Sequence, residues 1–140
     1  MTSDAACVFC QIASGKTSGS VLLADEEVVA FLDARPVFKG HALVVPRSHV
    51  ATFAALAPQA VAAVFLAAQR ISAALERGLG AEGTFVALND RISQSVPHVH
   101  VHVVPRRRKD GLRGFFWPRV RYEDDQEREA LAARIRAALS

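Results

Sequence analysis

The sequence predicts an α+β fold, in which a five-stranded, mainly antiparallel sheet carries a long helix and a C-terminal helix. Five short runs rich in apolar and β-branched residues, each bounded by turn residues, are typical of strands. The segments 58–77 and 123–139 instead repeat apolar residues every three or four positions, as amphipathic helices do. Because no internal repeat or linker interrupts this pattern, we expect a single domain over residues 1–140.

Composition and charge narrow the class of protein. The chain has 140 residues, of which 51% are hydrophobic, so it can bury a core. No apolar run reaches the ~20 residues of a membrane span, and the N-terminus lacks the basic region of a signal peptide. We therefore expect a cytoplasmic protein without a membrane partner. The net charge of +3 is concentrated in Arg106–Lys109, a cluster that suits nucleic acid, an anionic substrate or simple solvation.

The first element is a short helix over 5–13, which contains a C-x-x-C pair, Cys7 and Cys10. Two thiols on one helical turn suit half of a tetrahedral zinc site or a redox pair. Disulfides are rare in the cytoplasm, and the surrounding pattern is not that of a thioredoxin.

Three strands and the long helix follow. Strands at 20–24 and 28–32 are separated by three acidic residues and read as an antiparallel hairpin. Asp33 comes directly after the second strand, where it can serve the turn or bind a ligand hydroxyl. The third strand, 40–46, ends at a proline. The long helix has Pro58 in its first turn and ends at Gly78.

The fourth strand, 84–88, leads through a polar loop to a fifth strand, 97–105. Period-two alternation places His98, His100 and His102 on one face of this strand and three valines on the other. We expect the valine face to pack on the core and the imidazoles to line an open face. Neighbouring imidazoles, ~6.5–7 Å apart, can share a metal, take a proton or act as a nucleophile.

The alternation resembles the histidine triad motif, His-φ-His-φ-His-φ-φ, where φ is apolar. Two upstream blocks, Phe31–Pro36 and Gly40–His49, resemble the other blocks of the histidine triad (HIT) family, in the same order. The resemblance covers about 7–106 and leaves 107–140 as a C-terminal extension. It implies a dimeric HIT-like fold and a hydrolase or nucleotidyl transferase. Such an enzyme acts at the α-phosphate of nucleoside phosphoramidates or dinucleoside polyphosphates and releases a nucleoside monophosphate.

The resemblance also implies roles for particular residues. His100 is the implied nucleophile, which forms a covalent nucleotidyl-histidine intermediate, and His102 contacts the phosphate. The remaining nucleotide-binding residues are Asp33 for the ribose, then Asn89, Gln94 and Ser95 for the α-phosphate or leaving group, and Phe9, Ile12 and Phe31 for a purine base.

Some members of the family carry a structural zinc ion, and the resemblance implies one zinc per chain here. The matching ligands are Cys7, Cys10, His49 and His98, with His41 as a less favoured alternative to His49. Two thiolates and two imidazoles form a closed tetrahedral site.

Two other functions remain open at this stage. The first is a phosphohydrolase in which His98 and His100 hold a catalytic zinc. The second is a non-catalytic nucleotide or nucleic-acid binding module that uses Arg106–Lys109. The triad favours neither, so nucleic acid is not an expected partner.

Three further features lead to expectations. The loop before the triad carries Ser93 where many family members have glycine, and it looks shortened. The open edges of a five-stranded sheet favour a homodimer through the helix 58–77 and the strand 84–88. The aromatic group Phe115–Trp117 either packs the terminal helix onto the sheet or borders the nucleotide site.

Overall fold

A computed structural model describes residues 3–113 and 118–139, and the chain divides into two compact units, 1–110 and 111–140. The first unit contains a five-stranded sheet with strand order β1-β2-β3-β5-β4. Its strands are β1 (Val21–Ala24), β2 (Val28–Leu32), β3 (Ala42–Pro46), β4 (Gly83–Ala87) and β5 (Val101–Arg106). Every neighbouring pair is antiparallel, so the predicted sheet and the α+β class are confirmed.

Two helices belong to the same unit: α1 (Val8–Ala13) and α2 (Pro58–Leu79). A single 3-10 turn at Phe53–Ala55 precedes α2. The long helix begins at Pro58 as expected but runs past Gly78, and Gly80, with a φ of 67°, ends it in the left-handed region. By length and composition α2 is apolar enough to cross a membrane, a test that the buried helix of a protein core also passes.

The sheet is covered on both faces. Val28 and Ala30 of β2, Val44 of β3 and Val101 and Val103 of β5 belong to one core cluster, which the apolar stripe of α2 completes. The alternate residues of the same strands form a second cluster with α1. That second cluster comprises Cys7, Phe9, Cys10, Val29, Phe31, Leu43 and Val45. Period-two alternation in the central strands therefore separates an α2 face from an α1 face.

The triad differs from its prediction in two respects. The hydrogen-bonded strand β5 begins at Val101, so His98 and His100 lie in the segment that leads into it. The histidine face is also not open, because His98 and His100 are 0% and 3% exposed. The ring of Phe9, from α1, lies 5.0 Å from that of His100 and 6.1 Å from that of His98. The alternation was read correctly, but it carries no information about an N-terminal helix that covers the face.

The second unit contains the terminal helix α3 (Asp125–Ala138). Asp124 caps it by accepting a hydrogen bond from the backbone N–H of Glu127 at 2.8 Å. None of its residues is buried. The aromatic group Phe115–Trp117 lies outside the described residues, so both interpretations of it remain predictions.

Candidate active site and adjoining metal centre

The middle histidine of the triad is held in one tautomer. Nδ1 of His100 lies 2.7 Å from the backbone carbonyl oxygen of His98. Because a carbonyl can only accept, Nδ1 carries the ring proton and donates it, which leaves the lone pair on Nε2. Burial lowers the pKa of His100, while the bond to His98 opposes the shift. The ring is therefore a neutral imidazole at pH 7 with Nε2 as its basic atom, the form that a nucleophile needs.

The third histidine is held in the opposite tautomer by a chain of hydrogen bonds. The backbone N–H of Val37 donates to Nδ1 of His41 at 3.1 Å, so the proton of His41 is on Nε2. That atom lies 2.9 Å from Nδ1 of His102 and donates to it. His102 must then carry its own proton on Nε2. Burial, with smaller effects of His100 and His41, lowers the pKa of His102 to about 4. His102 is thus a neutral N–H donor.

Asp33, His41 and His102 lie close enough together to resemble a metal site. The nearest carboxylate oxygen of Asp33 is 3.6 Å from Nε2 of His41. A metal on that nitrogen would require the ring proton to move to Nδ1, where it would oppose the N–H of Val37. The geometry therefore favours a hydrogen-bond network over a metal at this position. The other oxygen of Asp33 accepts from the backbone N–H of Arg35 at 2.9 Å, which fixes the carboxylate.

A second cluster, made of two cysteines and two histidines, places an imidazole lone pair beside two thiols. Nε2 of His98 donates to the carbonyl oxygen of Pro46 at 2.8 Å, so the lone pair is on Nδ1. That atom lies 3.5 Å from the sulfur of Cys7 and 3.5 Å from the sulfur of Cys10. Nδ1 of His49 lies 3.4 Å from the sulfur of Cys10. The structure thus brings together all four residues expected to bind zinc, whose ligand atoms lie within 4.8 Å of one another.

The surroundings of this cluster suit a structural ion. Both cysteines are buried, and burial raises the pKa of Cys7. A buried thiol is deprotonated most readily when a metal replaces its proton. A carboxylate oxygen of Asp4 lies 3.9 Å from Nε2 of His49, the outer partner that metal-bound imidazoles usually have. Both ring nitrogens of His98 are engaged, one with a backbone carbonyl and the other with the two sulfurs, so the geometry does not favour a catalytic metal shared by His98 and His100.

His100 and His102 line one side of a cavity of about 1130 Å³. Its apolar wall comes from α1 and the α1 face of the sheet, and its polar wall from residues around the triad. The residues predicted to bind a nucleotide that line it are Phe9, Ile12, Phe31, Asp33, Ser95, His100 and His102. The rings of Phe9 and Phe31 lie 5.4 Å apart and are tilted by 59°, so they pack against each other and together form an apolar wall of the cavity. Leu43 adds to the apolar lining, and Ser18 adds a hydroxyl.

Asn89 and Gln94 do not line this cavity. The side-chain amide of Gln94 donates to the carbonyl of Ala51 at 2.8 Å and accepts from the N–H of Arg91 at 3.0 Å. Gln94 therefore joins the loop 89–98 to the segment before α2, and its phosphate contact remains a prediction, as does that of Asn89. Ser93 has a φ of 59°. A glycine adopts this left-handed conformation without strain, which explains why one suits this position.

The basic cluster is largely engaged in contacts within its own unit. Arg106 makes a bidentate pair with Asp110, with distances of 2.6 and 3.0 Å. Arg107 donates at 2.6 Å to the carbonyls of Leu79 and Gly80, where α2 ends. Arg108 pairs with Glu82 at 3.4 Å. These contacts hold the end of α2 to the end of β5, and they do not favour a nucleic-acid interface.

The fold and the arrangement of the three histidines are those of a histidine triad protein, and comparison with known proteins identifies the family. The model of the HIT domain family matches residues 14–109. The chain therefore belongs to the HIT family, and the resemblance in its motifs is confirmed. A HIT family protein from Bacillus anthracis superimposes with a TM-score of 0.88 at 29% identity, over 97% of this chain and 99% of that one.

Two further relatives are informative about the metal cluster and about the kind of reaction. A crystal structure described as a Zn-bound histidine triad family protein from Mycobacterium smegmatis is 36% identical, with a TM-score of 0.74, over 96% of this chain and 98% of that one. The adenylylsulfatase HINT3 from Arabidopsis thaliana is 32% identical over 76% of this chain, which spans 55% of that protein. This chain is thus similar both to a metal-bound member and to a member named as a hydrolase.

Sequence reasoning missed two contributors, His41 as a partner of His102 and Asp4 as a partner of His49. His41 directly precedes β3, and Leu43, two residues later, pairs with His102 across the sheet. His41 could have been found only from the order and register of the strands, because it is 61 residues from His102. Asp4 lies outside the resemblance, and only its position close to the C-x-x-C pair could have suggested it.

Proposed function

We propose that this protein is a nucleotide hydrolase that attacks the α-phosphate of its substrate and releases a nucleoside monophosphate through a covalent intermediate on His100. The tautomer of His100 carries the proposal, because its Nδ1–H is donated to a backbone carbonyl and Nε2 is left as the nucleophile. Membership of the HIT family and the likeness to a relative named as an adenylylsulfatase support hydrolysis of a nucleotide.

In the first step Nε2 of His100 forms a bond to the α-phosphorus while the bond to the leaving group breaks. In the second step water attacks the same phosphorus, the P–Nε2 bond breaks, and the monophosphate and neutral His100 result. The N–H of His102 donates a hydrogen bond to a phosphate oxygen in both steps, where negative charge develops. The carboxylate of Asp33 accepts from the ribose hydroxyls, and Phe9 with Phe31 holds the purine.

The nucleophile is tested with His100→Asn. We expect turnover to fall by at least ~10³-fold while AMP binding persists, because only the covalent steps are lost. The matched control is His102→Ala, which removes the N–H donor but not the nucleophile and should still form an AMP adduct, visible by intact-protein mass spectrometry. Retention of more than about a tenth of wild-type turnover by His100→Asn would sink the covalent mechanism.

The preferred substrate is identified with a panel of compounds that share the adenylyl group and differ in the leaving group. A phosphoramidate, a diadenosine polyphosphate and an adenylyl sulfate all present the same α-phosphate to His100. Rates of AMP release across the panel identify the leaving group that the site prefers. Release from none of them, with AMP bound, would favour a non-catalytic binding module instead.

We also propose that the cluster of Cys7, Cys10, His49 and His98 holds one structural zinc ion. The donor set and the orientation of its lone pairs fit Zn²⁺, and a Zn-bound member of the family is 36% identical. Metal analysis should find about one zinc per chain, and Cys7→Ser with Cys10→Ser should abolish it and lower stability. Wild-type protein that is purified without chelators and is metal-free, yet stable and active, would rule the site out.

Finally, we propose a homodimer that pairs the β4 edges of two copies. β4 is the terminal strand of the sheet on that side, and Val86 on it is 41% exposed. Val86→Arg should yield monomers in light scattering at micromolar concentration. Leu22→Arg is the matched control, because Leu22 is 47% exposed at the opposite edge of the sheet. A monomeric wild type, or equal effects of the two changes, would contradict this interface.

A further inference from the structure

The Cys2His2 cluster and the nucleotide cavity share one wall, the short helix α1. Cys7 is the N-cap of α1 and Cys10 lies in its first turns, and both belong to the cluster. Val8, Phe9 and Ile12 of the same helix line the cavity. Because α1 presents alternate sides to the two sites, any displacement of its cysteines also moves the cavity wall.

Helix α1 has little local support at the end where the thiols lie. It has six residues, its N-cap makes no side-chain hydrogen bond, and its first turn contains no acidic residue. Helices this short are not stable alone in water. At the other end Arg47 donates to the carbonyl of Ala13 at 2.7 Å, which holds the C-terminus of α1 to the end of β3. The N-terminal end is held by the buried ring of Phe9 against Phe31, and the partners of the two cysteines add to that contact.

The cluster also reaches the nucleophile. His98 presents Nδ1 to the two sulfurs and, through its backbone carbonyl, accepts the Nδ1–H of His100 at 2.7 Å. A metal that holds the ring of His98 also holds the carbonyl that sets the tautomer of His100. The edge of Phe9 lies against the ring of His100 with centroids 5.0 Å apart, which provides a second route from α1 to the nucleophile.

We infer that the metal cluster positions the nucleotide site through α1 and His98, so that metal and nucleotide bind with positive coupling. The inference rests on the nucleotide and zinc binding proposed above. Linkage requires that zinc raise the affinity for nucleotide and that nucleotide raise the affinity for zinc by the same factor. We expect this factor to be at least about fivefold, the lower end of coupling measured between sites. Cys7 and Cys10 are thus positioning residues, since neither touches the substrate.

The test uses Zn²⁺ and AMP. The apparent zinc affinity of loaded wild-type protein is measured by competition with a chromophoric chelator, with and without saturating AMP. This arm starts from loaded protein and requires no purified apoprotein. Where the apoprotein folds, its Kd for AMP should exceed that of the reloaded protein by the same factor. In ¹⁵N NMR, the chemical shift of Nε2 of His100 should be that of an unprotonated nitrogen in the zinc-loaded protein. After chelation it should move toward an average over both tautomers.

A matched variant separates coupling from general stabilisation by a ligand. Phe9→Leu leaves all four zinc ligands in place, so zinc affinity without AMP should stay within about twofold of wild type. The coupling factor should shrink, because the ring that joins α1 to His100 is gone. Phe9 also lines the cavity, so AMP is kept at the same multiple of its Kd in both proteins. General stabilisation by AMP is then equal in the two, and an undiminished factor would overturn the role of α1.

Two outcomes distinguish this inference from the function on which it rests. If loaded protein binds AMP but retains zinc equally with and without it, the coupling is refuted and the proposed function stands. If loaded protein binds neither AMP nor another nucleotide of the panel, the proposed function and this inference both fail.

Discussion

Acidification should destabilise this protein through His102 by an amount that the structure sets. The pKa of His102 is lowered from 6.5 to about 4, chiefly by burial. Between these values the unfolded chain binds a proton that the folded chain refuses, so stability falls as the pH falls. The stability that the lowered pKa of His102 provides is complete above pH 6.5 and lost by about pH 4. At about 1.4 kcal/mol per pH unit, the loss totals about 3 kcal/mol, of which about 2 kcal/mol is lost by pH 5.

The assay compares wild type with His102→Asn by urea unfolding at pH 7 and pH 5. His41 donates to His102 at 2.9 Å, so the difference between the two proteins reports the protonation of His102 together with any change that its loss causes at His41. Protonation of the Cys2His2 cluster affects both proteins alike and cancels. The stability advantage of wild type over His102→Asn should shrink by about 2 kcal/mol between pH 7 and pH 5. Parallel pH dependences would refute the reasoning, because His102 would then titrate equally in both states.

Four further substitutions should alter stability in directions that urea unfolding can check. Gly40→Ala should lower the free energy of unfolding by about 1–3 kcal/mol, since Gly40 has a φ of 103° and a Cβ there would lie 2.6 Å from Leu79. Gly78→Ala should instead raise it by about 0.5–1 kcal/mol, because Gly78 lies within α2 and a Cβ there would meet open space. Arg107→Ala should cost about 1 kcal/mol and leave kcat/KM unchanged, because its guanidinium bonds the last carbonyls of α2; weaker nucleotide binding at unchanged stability would contradict this. Ser93→Gly should add up to ~1 kcal/mol by removing strain at a φ of 59°, and a loss of stability would show that Ser93 makes a compensating contact.

Much of the central sheet could be read from local pattern. The continuous apolar runs of β2 and β3 are typical of strands that are buried on both faces, and the structure has two core clusters that divide those strands by odd and even positions. Alternation also assigned His98, His100 and His102 to one face. The resemblance added the four residues of the metal cluster, which are scattered between Cys7 and His98 and which no local spacing would have grouped.

What could not be predicted depends on contacts between distant segments. The triad face is covered because α1 packs there, and the alternation of β5 is the same whether or not its polar face is covered. The cluster at Arg106–Lys109 looked like a surface for anions, but its charges meet Asp110, Glu82 and the end of α2. Each of these partners is separated from the local pattern by a turn or by a whole element.

The imidazoles of this site have different roles although the side chain is the same, because different backbone groups hold them. Carbonyl oxygens take the Nε2–H of His98 and the Nδ1–H of His100, so the first ring turns Nδ1 toward the thiols and the second keeps Nε2 as a nucleophile. A backbone N–H, that of Val37, begins the chain that ends at His102 and makes this third ring a donor. A backbone carbonyl that accepts the ring proton thus leaves His98 as a metal ligand and His100 as a nucleophile. A backbone N–H that donates to His41 makes His102, at the end of the chain, a hydrogen-bond donor. Histidine spacing alone cannot distinguish these outcomes, since the sequence specifies the rings but the folded backbone decides which nitrogen keeps its proton.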